Sequence, residues 1–362
     1  MAGIDWTKSM QQYFEYYKVD PYTWTDMEPL TNVVSSSISW DDNTDTKGSA
    51  TINVHGEVEE CYIRIYLIAV QNGIKYKEPL GTFLVQTPSQ KFNGKYISET
   101  LDAYTPLTEL KESYPPLGYS IPKDSLIMPI ASQLTAENLR APVVRSLVTE
   151  KLQENFIADI NENWLEFLTP LISSAKFKFS LDPLGRILFA PVPDFASMQP
   201  VWPYNDDNSS ILYPEIDLER DLYGIPNAVE IIYSVGSYYL YAKAINDDPD
   251  SPVSTVARGR EIVYRETNPD LYGKPTEAQL GEYAVQTLRN LLSLEHTISY
   301  SHGYCPVRVG DCVELNYKRA GFNHIKAIVK SQNIECRPGC QVQETAVYTL
   351  NVGNSVKLVT SL

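Results

Sequence analysis

A mainly β fold with α+β character is predicted for this chain: two β-barrel domains, a small α/β domain between them and a helical segment inserted in the second barrel. Three observations predict it. Short runs rich in β-branched and aromatic residues recur between Gly, Asn, Asp and Pro turns. The apolar period changes from two to three-or-four after Tyr104, and the strand pattern returns near Gly224. Tyrosine, which suits strands and wet interfaces, occurs 25 times. A length of 362 residues suggests two or three domains, and 43% hydrophobic with 21% charged residues allows each a core.

Taken in order, residues up to about 30 mix aromatic and polar groups with some helical spacing and read as an irregular or helical arm. "VVSSSISW" and "ATINV" then read as a hairpin across the polar loop "DDNTDTKGS". In "CYIRIYLIAV", Tyr62, Arg64 and Tyr66 alternate with Ile63, Ile65 and Leu67, and Asn72-Gly73 gives a two-residue hairpin signal. Two more strands, with a second such turn at Asn93-Gly94, complete a first barrel within residues 1–105.

Residues 106–205 read as the small α/β domain. Its expected elements are helices in "TPLTELKESY", in "TAENLRAPVVRSLVTEKLQENF" with a start at Thr135, and in "NWLEFLTPLISS". A hairpin follows, Lys176–Leu181 and Arg186–Pro191, joined by a type I turn with Pro183 second and Gly185 fourth. "PVPDFASMQPVWPYNDDNSS" reads as a linker. The second barrel takes residues 206–362, with a hairpin turning near Gly236-Ser237, an exposed acidic loop around Asp247–Asp250, and an inserted helical segment at about 244–296. Within that segment Thr276 caps a helix whose stripe is Leu280, Tyr283, Ala284, Thr287, Leu288 and Leu291. Four final strands run from Thr297 to Val352, and in "CVELNY" Val313, Leu315 and Tyr317 are expected to face the core.

The formal charge of −15 argues against a nucleic-acid binder and against docking on anionic lipid, since both need clustered Lys and Arg. The N-terminus lacks the pattern of a secretory signal, and the apolar run Tyr62–Val70 is too short to span a bilayer, so the expectation is a soluble chain made in a cytoplasm, with no membrane insertion. No nucleophile elbow, phosphate loop, dinucleotide fingerprint or zinc-protease helix is present, so no catalytic and no cofactor-binding residue is assigned and no cofactor is expected.

Two groups of residues have the spacing of metal ligands. Asp41, Asn43 and Asp45 alternate as in a calcium loop, but Thr46 and Ile52 occupy its sixth and twelfth positions and no helices flank it, so a polar hairpin loop is the better reading. His302, Cys305, Cys312, Cys336 and Cys340 include a C-x3-C pair of zinc spacing, in "CRPGC". Against zinc, Cys312 sits in a strand and the others flank turns, so reduced thiols without metal are the expectation.

Several stretches carry a resemblance. "PLGTFLVQTPSQKFNGKYISETLDAYTPLTEL", "FKFSLDPLGRILFAPV", "ERDLYGIPNAVEIIYS", "AQLGEYAVQTLRNLLS" and the corner "CPVRVGDCVELNY" occur in an order that resembles the baseplate hub, or tail hub, family of tailed bacteriophages, related to the hub region of tail-associated lysins. The resemblance covers most of residues 30–352. It implies a non-enzymatic structural protein of the virion tail with two tail-tube-like barrels per chain. As a homotrimer, it would adapt a hexameric tail tube or distal tail ring to a trimeric spike or fibre. Tape-measure protein and DNA would pass through its lumen during ejection, without sequence-specific binding. It further implies assembly in the host cytoplasm, with any lytic activity residing elsewhere. Two other classes remain: a carbohydrate-binding β protein of the tail tip, suggested by the tyrosines, and a cell-wall hydrolase with a carboxylate pair.

Overall fold

The computed structural model describes residues 4–92, 94–95, 97–146, 148–192, 197–219, 222–269, 274–351 and 356–359. The chain begins with strands β1 (Gln11–Val19), β2 (Asp26–Pro29), β3 (Val33–Asp41), β4 (Gly48–His55), β5 (Tyr62–Gln71), β6 (Ile74–Phe92) and β7 (Ile97–Tyr104). Next come α1 (Thr108–Glu112), β8 (Ser120–Ile121), α2 (Ile127–Asn138), β9 (Phe156–Ile157), α3 (Trp164–Ser174), β10 (Phe177–Leu181), β11 (Ile187–Pro191) and β12 (Trp202–Asn205). Then follow β13 (Leu212–Glu219), β14 (Ala228–Val235), β15 (Tyr238–Asn246), α4 (Thr255–Arg258), β16 (Val263–Thr267) and α5 (Glu277–Leu291). Last are β17 (Ser293–Gly303), β18 (Cys312–Asn316), β19 (Ile325–Glu335), β20 (Gln341–Asn351) and β21 (Val356–Val359). The predicted mainly β class with α+β character is what these elements form.

Two compact units result: residues 1–216 with 299–346, and residues 217–298 with 347–362. In the first, one large sheet runs β13-β17-β20-β19-β3-β4-β7-β6-β5-β1-β2, with β18 bonded to β19 and β12 to β18. Strands from both ends of the chain therefore share one sheet, β19 pairing with β3 from Glu335↔Ser37 to Ser331↔Asp41. The Asn72-Gly73 turn forms as read, both residues adopting positive φ (52° and 77°), and joins β5 to β6 in antiparallel register. Asn93 of the second such turn lies outside the described residues, although the strands flanking it pair as β6 and β7. Ile38, Ile52, Ile63, Leu67, Phe83 and Leu101 centre the core of this sheet.

The N-terminal arm is a correction: residues 11–19 form β1, paired with β5 over nine residues. Its alternation is hidden because both faces are covered. Phe14 and Tyr16 pack on the main core, while Val19 packs with Tyr62 and Leu84 on the opposite face. The predicted helix starting at Thr135 is also wrong. Thr135 lies inside α2, its hydroxyl donating to the Ala131 carbonyl at 2.7 Å, and α2 stops at Asn138. Pro142 disfavours helix at the residue before it, and the chain runs on extended, with Val143 bridged in parallel to Ile187.

Helix α3 begins at a reciprocal cap between Asn163 and Glu166 and buries Phe167, Leu168, Leu171 and Ile172 against α2 and β10. The β10–β11 hairpin turns as predicted, with the Gly185 amide donating to the Asp182 carbonyl at 2.9 Å. The supposed linker after it is partly structured: β12 runs parallel to β18, and Tyr204 is buried.

The second unit is a four-stranded sheet, β16-β14-β15-β21, packed against α5. The α5 cap forms as read, Thr276 accepting from the Gln279 amide at 3.3 Å, and Leu280, Ala284 and Leu288 face Val229, Ile231 and Ala244. The loop after β15 is less exposed than expected: Ser251, Val253 and Ser254 are buried, and Asp250 faces solvent. No helix among the described residues is long and apolar enough to cross a membrane.

Candidate functional site

Four strands of the first unit bring five polar side chains to one sealed place in the protein. Period-two geometry puts Tyr300 and His302 of β17 on the same face. Glu344 comes from β20, Gln332 from β19 and Tyr204 from β12, and all five side chains are buried. The carboxylate of Glu344 accepts from four groups: Tyr300 Oη at 2.7 Å, Tyr204 Oη at 3.1 Å, Gln332 Nε2 at 2.5 Å and His302 Nε2 at 3.2 Å. Gln332 Nε2 also donates to the Val307 carbonyl at 2.9 Å.

The protonation of His302 follows from its neighbours. Nδ1 lies 2.7 Å from the Gly303 carbonyl, which can only accept, and Nε2 faces a carboxylate, which also accepts. Tyr204 Oη, 3.1 Å from Nε2, can donate or accept, and the two fixed acceptors favour the imidazolium. Burial alone would depress its pKa. The charge of Glu344 and hydrogen bonds to Cys305 and Glu344 outweigh burial and lift it from 6.5 to about 10. Burial likewise pushes Glu344 up, but the charge and hydrogen bond of His302, with donors from Tyr300 and Gln332, bring it below its ordinary 4.5. The arrangement is a satisfied ion pair closed to solvent, and it presents no reactive atom to a substrate.

The thiols singled out by sequence are divided among different surroundings. Cys305 Sγ lies 3.4 Å from Tyr204 Oη and 3.9 Å from His302 Nδ1, at the margin of this cluster. Cys336 and Cys340 belong to the apolar core beside Ile38, Val54 and Val342, where burial pushes the Cys336 thiol up to about 12. Cys312 is buried in β18, as are Val313 and Leu315, and Tyr317 just after the strand is buried too. Among the described residues, no group of three or more His, Cys, Asp or Glu is placed to hold a metal ion. The Asp41–Asp45 loop is a hairpin turn in which Asp41 accepts from the Asn43 amide at 2.8 Å. Sequence reasoning missed Tyr204, Tyr300, Gln332 and Glu344. Their only local signal is a polar residue within an apolar strand run, and the partners lie up to 140 residues apart.

A second polar tie fixes the β10–β11 turn to the large sheet. Buried Arg64 donates to Asp26 at 2.7 Å, to Thr82 at 2.9 Å, and to the carbonyls of Leu184 at 3.1 Å and Trp24 at 3.3 Å. The Trp24 indole donates to the same Leu184 carbonyl at 2.7 Å. Gly185 is required there: its φ is +77°, and a Cβ would stand 2.8 Å from Thr82 Cβ. A cleft of about 590 Å³ beside this region is lined by Trp40, Asp42, Lys47, Lys178 and Asp311. Asp42 bridges Lys178 at 2.5 Å and Lys47 at 3.8 Å, so these charges neutralise one another without a ligand.

Comparison with solved structures gives the fold its relatives. The chain is similar to a tail protein from Neisseria meningitidis MC58, at 13% identity and a TM-score of 0.59, covering 93% of this chain and 96% of that one. It is equally similar to the 43 kDa tail protein of prophage MuSo2 from Shewanella oneidensis, at 10% identity and a TM-score of 0.59, covering 93% and 98%. A chain of the Francisella PdpA-VgrG complex matches at 8% identity and a TM-score of 0.56; this chain is covered over 98% and spans 55% of that one. No protein-family model matches, and no curated protein does. The fold is thus one shared by phage tail proteins and by a VgrG-complex chain.

Proposed function

We propose that this chain is a structural tail protein that forms a homotrimeric hub at the baseplate or tail tip of a phage-like particle. The observation that carries the reading is the match in fold along nearly the whole length of two tail proteins, 93% of this chain against 96% and 98% of theirs. The order of sequence stretches that resembles the hub family supports it independently. So does the chemistry of the buried cluster, which rigidifies a sheet and offers nothing to a substrate.

In this reading, segments 1–105 and 206–362 are the two tube-like domains and 106–205 the small α/β domain. Three chains then present six tube-like domains to a hexameric tube or distal tail ring, and a threefold face to a spike or fibre. The formal charge of −15 suits a conduit that lets DNA and tape-measure protein pass without retaining them. Light scattering and negative-stain imaging of the purified chain test the proposal. A ring with threefold symmetry and a mass near three times 40.9 kDa is expected. A particle that stays monomeric at high concentration would overturn it. Glycan binding abolished by substituting exposed tyrosines would favour the carbohydrate-binding alternative.

A further inference from the structure

Two loops of the small α/β region are tied to each other at both ends. The Trp164 amide donates to the Ser113 carbonyl at 2.9 Å, and the Ala158 amide to the Tyr119 carbonyl at 3.0 Å. Strands β8 and β9 extend the second tie, with Ser120 opposite Ile157. Beneath them lies an aromatic floor: the Tyr119 ring sits 5.2 Å from Trp164 and 5.7 Å from Phe167, and Phe156 sits 5.0 Å from Phe167. Pro115 and Pro116 stiffen the first loop further. This closed ring of chain therefore holds its shape.

It also holds apolar groups in water. Tyr114, Leu117, Ile157 and Ile160 are 60%, 83%, 64% and 81% exposed. One exposed leucine is ordinary on a protein surface, but four large apolar side chains on two tied loops form a platform. Its charge is one-sided. Residues 112–120 and 152–166 contain Glu112, Glu154, Asp159, Glu162 and Glu166 and no Lys, Arg or His. The flanking cations Lys111, Lys123 and Lys151 lie outside both segments, and Lys111 faces Asp45 at 3.5 Å.

We propose that this platform docks a partner protein through an apolar segment flanked by basic residues. Leu117 and Ile160 are the anchors, and the carboxylates read the partner's charge. Two copies meeting platform to platform would bring like charges together, and anionic lipid is excluded for the same reason. The inference does not rest on the trimeric-hub reading, since it concerns one surface of a single chain.

The test uses the full chain and a fluorescent amphipathic helical peptide with leucines on one face and lysines on the other. Its counterpart carries glutamates in place of the lysines. Saturable binding of the lysine peptide alone is expected in anisotropy titrations. Leu117→Ser with Ile160→Ser should weaken it about tenfold or more, with an unchanged melting temperature because both side chains face water. Asp159→Asn with Glu154→Gln should weaken it and flatten its dependence on salt. Equal binding by the serine double variant would reduce the interaction to general charge attraction and overturn the proposal. So would equal binding of both peptides or no binding at all. Self-association of the chain that the serine substitutions abolish would assign the platform to a second copy and overturn it too.

Discussion

At the scale of the residue, the His302–Glu344 pair decides how the C-terminal strands are held. Glu344→Gln keeps the shape of the side chain but leaves an imidazolium buried among Tyr204, Tyr300 and Cys305 without its counter-charge. Stranding a buried charge in this way costs about 3–5 kcal/mol, and urea denaturation should register a loss of that order. His302→Gln combined with Glu344→Gln removes both charges and should recover part of it. The same pair sets a pH dependence. The folded pKa of His302, about 10, lies above its ordinary 6.5, so its contribution to stability is complete below pH 6.5 and is lost as pH rises towards 10. Glu344 is held below 4.5, so its contribution is present above pH 4.5 and is lost as pH falls through the folded value. Tyr204 and Tyr300, pushed well above 10 by burial and by the charge of Glu344, stay protonated across this window. Melting temperature should therefore decline from about pH 6.5 towards pH 10. The double Gln variant should decline less steeply, and an equal slope in both proteins would rule out the pair as the cause.

At the scale of the element, the β10–β11 turn depends on Arg64. Arg64→Met keeps the buried stem and removes the donors to the Leu184 and Trp24 carbonyls. Asp26 retains Tyr66 Oη at 2.8 Å and Lys77 Nζ at 3.6 Å, and Leu184 retains the Trp24 indole, so the loss should be moderate, roughly 2–3 kcal/mol. Hydrogen exchange should accelerate first in residues 177–191, ahead of the large sheet. The Asn72-Gly73 turn, the Pro183–Gly185 turn and the Thr276 cap were legible because each is fixed by a few adjacent residues with one conformational use. Strand β1 was not, because apolar groups cover both its faces and erase the period. The start of α2 was misplaced because a mid-helix threonine looks like a cap unless its bond to Ala131 is known. The Glu344 cluster was illegible for a different reason. Its members meet only after β12, β17, β19 and β20 have come together in one sheet, and no local pattern encodes that meeting.

At the scale of the whole molecule, the proposed assembly has to overcome its own charge. Each copy carries a formal −15, so bringing three together raises electrostatic repulsion that apolar burial at the interfaces must outweigh. Two consequences separate an obligate trimer from a monomer that crowds occasionally. Assembly selects the folded state, so the melting temperature of a trimer rises with protein concentration by mass action. Salt screens like charges over a Debye length of about 8–10 Å at moderate ionic strength, so added NaCl should strengthen the assembly rather than dissolve it. Thermal melts across a wide concentration range, repeated at low and moderate NaCl, measure both. A midpoint that climbs with concentration and with salt is the expected result. A midpoint independent of concentration would make the monomer the folding unit. One that falls with salt would mean that opposite charges, rather than apolar surface, hold the copies together, and the interface would then have to be sought where this acidic chain concentrates its few cations.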